Sequence, residues 1–178
     1  MVRSRTDELL LGEWACLGVL AQTPAHGYDV SLRLSPAGDI GRVWSLSRPL
    51  TDRALDQLTQ RGLVETVGHE KGIAGGDRTI LAPTKRGRTL YRRWLREPVP
   101  HFRDVRSALL VKLVLSEVAR IDPRPLLDAQ RALFTPMVAT LKAAGGPRRP
   151  DADPVEVWRY ESSRAALLFL DRLIAGCS

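Results

Sequence analysis

Residues Trp44 to Pro83 read WSLSRPLTDRALDQLTQRGLVETVGHEKGIAGGDRTILAP, and this one run writes a short helix, a strand, a glycine-rich tip and a second strand. Ser47 is placed as the N-cap, its hydroxyl accepting from the free N–H groups of the first turn. Pro49 follows in that turn, where a missing N–H costs nothing. Leu50, Ala54, Leu55 and Leu58 recur at helical spacing and make one apolar face, with Thr51 on the core side. Arg48, Asp52, Arg53, Asp56 and Gln60 point the other way. Gly62 closes the helix, since glycine takes the left-handed conformation that a C′ position requires. LVETV then alternates as a half-buried strand, GHEKGIAGG has the punctuation of an exposed loop, and RTILA returns as its partner. Helix, strand, tip and strand in that order outline a winged helix.

The segments on either side complete such a domain. Thr6 to Ala21 is expected to be the first helix, with Thr6 as N-cap, Asp7 and Glu8 favourable at the positive end of its dipole, and Leu10, Trp14, Leu17 and Leu20 on one face. QTPAHG is a turn, YDVSLRLS a short second helix with Tyr28 and Leu32 on one face, and PAGDIGRV a loop. Thr84 caps a further helix, KRGRTLYRRWLRE, in which Leu90 and Trp94 align and which Pro98 stops. After Pro100 the pattern is purely helical. Val105 to Val118 is apolar nearly all round apart from Lys112, so it must be covered on every side. Leu126, Gln130, Leu133, Met137 and Leu141 mark an amphipathic helix, and AAGGPRRPDADP is a flexible breaker. The last helix carries two seams: Trp158, Ser162, Ala165, Phe169 and Leu173 on one, and Tyr160, Ser163, Leu167, Leu170 and Ile174 on the other. One helix with two seams serves two neighbours, and the second neighbour is read as another subunit, with Trp158, Ala165, Phe169, Leu170 and Leu173 at the interface of a twofold homodimer. The expected architecture is therefore mainly α with a small β-hairpin. It places an N-terminal winged helix-turn-helix with its connecting helix over residues 1–98 and a helical dimerisation domain over 99–178.

Composition narrows the partner. The chain has 178 residues, enough to bury a core unaided. Its two cysteines, Cys16 in an apolar run and Cys177 in the tail, read as free thiols of a reducing cytosol, and no Cys/His spacing suits a metal. Asp7, Glu8 and Glu13 interrupt the apolar N-terminal stretch, which argues against a leader or a membrane span and for a cytoplasmic protein. A formal charge of +7 and a pI near 10.1 favour a polyanion. From Arg42 to Arg93 there are eleven Lys and Arg against five Asp and Glu, so nearly all of the excess falls in the winged-helix stretch. His26, His69 and His101 are scattered without an orienting partner at suggestive spacing, and no phosphate loop or nucleophile elbow occurs. Neither catalysis nor a cofactor is expected.

Double-stranded DNA is the partner that this fold and charge imply. The first turn and outward face of such a helix enter the major groove, which makes Arg48 and Arg53 the candidate readers. Lys71 and Arg78 belong to the hairpin, where contacts go to phosphate or the minor groove and position rather than specify. Arg42, Ser47 and Gln57 complete the candidate set. Asp52 repels phosphate unless it accepts from a cytosine amino group or orients Arg48 or Arg53, and both roles remain open from sequence.

LSRPLTDRALDQLTQRGLVE with its Gly-rich tip, RTILAPTKRGRTLYRRWLREPV, RDVRSALLVKLVL and the upstream PAHGYDV occur in an order and spacing that resemble the PadR family of bacterial transcriptional regulators. The resemblance covers most of Leu9 to Leu115; beyond Ser116 only helical character matches. It implies a ligand-responsive repressor acting as a homodimer on an inverted-repeat operator. It also implies a small hydrophobic or aromatic effector near the dimer interface, for which Trp14 and Trp94 are the candidates, although the residues by themselves read both tryptophans as core. Where family members commonly show Gly and Tyr in the reading helix, this chain has Pro49 and Asp52, so relatives' contacts do not transfer at those two positions. The alternative reading is a winged helix that binds protein, without specific DNA contact.

Overall fold

The computed structural model describes residues 9–71, 77–143 and 153–177. Its elements are α1 (Leu11–Gln22), β1 (Ala25–His26), α2 (Gly27–Arg33), α3 (Arg48–Gln60), β2 (Val64–Lys71), β3 (Asp77–Pro83), α4 (Lys85–Arg96), α5 (Leu110–Val118), α6 (Arg124–Ala143) and α7 (Pro154–Gly176). They fall into two compact units, Met1–Leu95 with Val111–Arg120, and Arg96–Leu110 with Ile121–Ser178.

The first unit is a winged helix. Its antiparallel sheet has the order β1-β3-β2, so β3 is central, with His26 opposite Ile80 and Glu70 opposite Arg78. Leu17 and Leu20 of α1, Val30 of α2 and Leu55 and Leu58 of α3 share one core with Val111, Val114 and Leu115 of α5. That placement buries the middle of α5, Lys112 included, whereas Val118 at its end is exposed and the segment is not covered on every side. The connection from α2 to α3 is also tied down. Arg33 donates from Nε and Nη2 to the two carboxylate oxygens of Asp39 at 3.1 and 2.5 Å and from Nη1 to Gln22 Oε1 at 2.8 Å. This fork holds the Asp39 carboxyl below the usual carboxylate range.

The joint between α3, β2 and α4 explains the sequence there. Gly62 has φ +65°, the left-handed conformation expected of it after α3. Thr84 caps α4, accepting from Gly87 N at 3.1 Å while donating to Gly62 O at 2.9 Å, and Arg86 Nη1 donates to Arg61 O at 3.0 Å. Helix and strand meet so closely that a Cβ on Gly87 would stand 2.1 Å from Leu63 O. A backbone oxygen cannot swing aside. Gly87→Ala is therefore expected to destabilise the unit by about 2–3 kcal/mol, read as a lower urea midpoint at unchanged slope.

Several local expectations change. Residues 9 and 10 are not helical, and α1 starts at Leu11, with Glu13 Oε2 accepting from Leu10 N at 2.7 Å; Thr6, Asp7 and Glu8 lie outside the described residues. Leu10 is exposed rather than on the core face. α2 buries Val30 and Ser31 and leaves Tyr28 and Leu32 outside, and in α3 Leu50 is exposed while Thr51, Ala54, Leu55 and Leu58 are buried. Gly68 to Lys71, read as loop, extends β2. A register shift between Thr66 and Gly68 is why Val67 breaks the alternation and is exposed. The tip at 72–76 lies outside the described residues. β1 is two residues long, too short for any periodicity to register.

In the second unit the expected helix from Val105 is not uniform. A 3-10 turn, Phe102–Asp104, and a π-turn, Val105–Leu109, precede α5. α6 buries Leu126, Leu127, Gln130 and Phe134, whereas Leu133 is exposed. Gln130 belongs on that face because its amide closes on one residue: Oε1 accepts from Val99 N at 2.7 Å and Nε2 donates to Val99 O at 2.9 Å. Phe102 lies against Phe134 with ring centroids 4.3 Å apart. α7 packs on α6 through Ser163, Ala166 and Leu170, with Arg131 Nε bonded to Asp171 Oδ1 at 2.5 Å and Arg124 Nη1 to Ile174 O at 3.2 Å. The breaker at 144–152 lies outside the described residues.

Candidate nucleic-acid interface

The outward face of α3, the start of α2 and strand β3 enclose a shallow cleft of about 480 Å³, bordered by His26, Tyr28, Arg48, Asp52, Asp56 and Arg78. Arg48 and Asp52 are both more than half exposed, and Arg48 Nε stands 3.9 Å from Asp52 Oδ2. The Arg48 guanidinium lies over the Tyr28 ring, 5.2 Å from its centroid. Arg53 and Asp56 are exposed on the same helix and Gln57 is half-buried. Among the described residues no ion pair involves Arg53, Lys71 or Arg78.

Ser47 is the N-cap residue, but its side chain makes no capping bond. Pro49, at the second helical position, has no N–H to offer that hydroxyl, and Thr51 Oγ1 donates to the Ser47 backbone carbonyl at 3.2 Å. Its exposed hydroxyl is left for other partners. Arg42 is engaged elsewhere, donating from Nε to Asp39 O at 3.0 Å with Nη2 3.6 Å from Glu117 Oε2.

Lys71 is exposed at the end of β2, and Arg78 is exposed beside it on β3. The arrangement near Arg78 depends on His26. Its Nδ1 is 3.1 Å from Thr79 O and its Nε2 3.1 Å from Glu70 Oε2, so both ring nitrogens face acceptors and both must carry a proton to satisfy them. The Glu70 hydrogen bond, and after it the Thr79 carbonyl, raise the His26 pKa above its ordinary value. A histidine whose folded pKa is raised contributes stability that is complete below about pH 6.5 and lost as pH rises through the folded value. His26→Gln is expected to remove that loss, so urea midpoints of the two proteins converge on the alkaline side. A histidine NMR titration at or below the ordinary value would contradict the assignment.

The predicted effector residues line none of the cavities described among the described residues. Trp14 and Trp94 stack on each other, with centroids 4.7 Å apart and planes 6° from parallel, and Lys112 Nζ lies 4.7 Å from the Trp94 centroid. Trp94 is buried. The rings are thus each other's ligand, an outcome that sequence spacing alone could not distinguish from an open aromatic site. Cys16 is likewise core, its thiol pushed up to about 12 by burial.

The largest cavity described, about 1520 Å³, lies in the second unit and is lined in part by Phe102, Met137, Trp158, Ala165 and Phe169. Of the predicted interface residues, Trp158 is 72% exposed, Ala165 is exposed and Phe169 and Leu173 are half-buried. Leu170 is fully buried within its own subunit, so it has no surface to offer a second one. Ser163 and Leu170 are buried on the seam facing α6, whereas Trp158, Ala165 and Phe169 remain accessible.

No family model matches the chain, and no curated protein does. Solved structures similar to it include Bacillus subtilis PadR in complex with operator DNA, at 17% identity and TM-score 0.47, over 93% of this chain and 94% of that one. The PadR-like transcriptional regulator BC1756 from Bacillus cereus is similar at 18% identity and TM-score 0.40, over 93% and 97%. The Vibrio cholerae virulence activator AphA is similar at 21% identity and TM-score 0.41, over 94% of each chain. With identities this low, function has to be argued from the chain's own side chains.

Proposed function

We propose that this protein is a sequence-specific DNA-binding transcriptional regulator, acting as a homodimeric repressor on an inverted-repeat operator. The observation that carries the reading is the shared exposure of Arg48 and Arg53 on α3 with Lys71 and Arg78 on the adjoining strands of one winged helix. α3 supplies major-groove contacts, with Arg53 and Arg48 reaching base edges. Ser47, Lys71 and Arg78 hold phosphate, which fixes register without specifying sequence. The open seam of α7 supports the dimer, since a second copy would cover Trp158, Ala165 and Phe169. Twofold symmetry then places the two reading helices on half-sites about 10 base pairs, or a multiple of that, apart. Trp14 and Trp94 are left out of any effector site, because they are packed against each other.

The test is selection of bound fragments from the source genome. The expected product is a set of fragments sharing an inverted repeat. Fragments with no common sequence would contradict the reading.

A further inference from the structure

We infer that Tyr28 is a specificity-positioning residue: together with Asp52 it clamps Arg48 so that its outer guanidinium edge meets a guanine. The inference rests on the proposed DNA-binding function and deepens it. Arg48 is the first residue of α3, on a long side chain more than half exposed. Such a side chain carries about 2 kcal/mol of rotamer entropy, which must be surrendered whenever it makes a directed contact. Two neighbours restrict it in advance. The Tyr28 ring, on a side chain 47% exposed on α2, lies under the guanidinium carbon Cζ, which stands 5.2 Å from the ring centroid. The Asp52 carboxylate lies toward Nε at 3.9 Å.

The geometry assigns each group a separate share of the guanidinium. The ring takes one face, by cation–π attraction, and the carboxylate faces the Nε side. The two Nη groups remain, and these form the fork that donates bidentately to guanine O6 and N7. The exposure of Tyr28 also has an account. This large aromatic side chain lies outside the core cluster and borders the cleft, with the Arg48 guanidinium over its ring. Asp52 is read by the same geometry as an orienter of Arg48 rather than a reader of cytosine, because its carboxylate is turned along its own helix toward Nε.

The test is a double-mutant cycle on the full-length protein, using a duplex recovered by genomic selection against a shuffled duplex of equal length. Tyr28→Leu is expected to reduce the specific-to-shuffled affinity ratio about five- to thirtyfold, the exposed cation–π term counted at both half-sites. Affinity for the shuffled duplex should stay constant. Tyr28→Phe keeps the ring face and is expected to restore the ratio. In an Arg48→Ala background, Tyr28→Leu is expected to change nothing further. Equal losses on both duplexes, or the same loss with and without Arg48, would overturn the inference while leaving DNA binding intact. Wild-type protein that does not distinguish the two duplexes would overturn both the inference and the function beneath it.

Discussion

Replacing Trp158 and Phe169 together by glutamate is expected to convert the protein to a folded monomer, with a mass by light scattering near 19.7 kDa instead of about twice that. The argument begins with the two seams of α7. Ser163, Ala166 and Leu170 are buried against the subunit's own α6, and the Arg131–Asp171 pair fixes that contact. The other seam leaves Trp158 72% exposed beside a cavity of about 1520 Å³. Trp158, Ala165 and Phe169 are the accessible apolar side chains that a second copy would cover in the proposed dimer. Two glutamates there would have to be desolvated on association, at a cost of several kcal/mol per buried unpaired charge. Leu170 is unsuitable for this purpose, since a glutamate at a fully buried position would unfold the unit instead of separating subunits. With the proposed dimer lost, a second winged helix would no longer be tethered beside the first. Operator affinity is expected to fall about 10²- to 10⁴-fold while the far-ultraviolet spectrum is unchanged. An unchanged mass would remove α7 from the interface.

Arg53→Ala is expected to reduce operator affinity by about 2–6 kcal/mol, because a bidentate arginine–base contact is worth about 1–3 kcal/mol and the proposed dimer would make it twice. Arg53 is exposed on α3 with no ion pair among the described residues, so in the proposed complex it would enter the groove without first breaking one. The loss should be concentrated at one base pair of each half-site, and changing that base pair should cost the variant little. A uniform loss over all sequences would place Arg53 on phosphate.

Much of this fold is legible in the sequence because its signals are local. The left-handed turn at Gly62, the cap that Thr84 gives Gly87 and the helical spacing of the apolar positions from Ala54 to Leu58 are each set within a turn or two. What escapes is set by partners distant in sequence. Tyr28 looks like a core residue on a short helix until Arg48, twenty residues on, is laid over its ring. His26 looks isolated until β1 pairs with β3 and brings Thr79 and Glu70 to its two nitrogens. Trp14 and Trp94 offer the same aromatic signal whether they line a cavity or fill it. The position of Ser47 as N-cap was readable, whereas its lack of a capping bond was not. For the candidate site, the α3 face and the hairpin cations were readable from spacing, and the aromatic and acidic groups that hold Arg48 were not.

The central claim is that the winged helix binds DNA through its phosphates and reads its bases, and the salt dependence of binding tests it most directly. Affinity for a selected duplex and for a shuffled one is measured across a range of salt concentrations. The account predicts that the specific complex falls along a log-log line of slope about −0.9 for each phosphate neutralised. It also predicts that the selected duplex stays at least about 10³-fold tighter than the shuffled one near physiological salt. Shallow, equal slopes and equal affinities for the two duplexes would contradict it, and would mark this winged helix as a surface for protein.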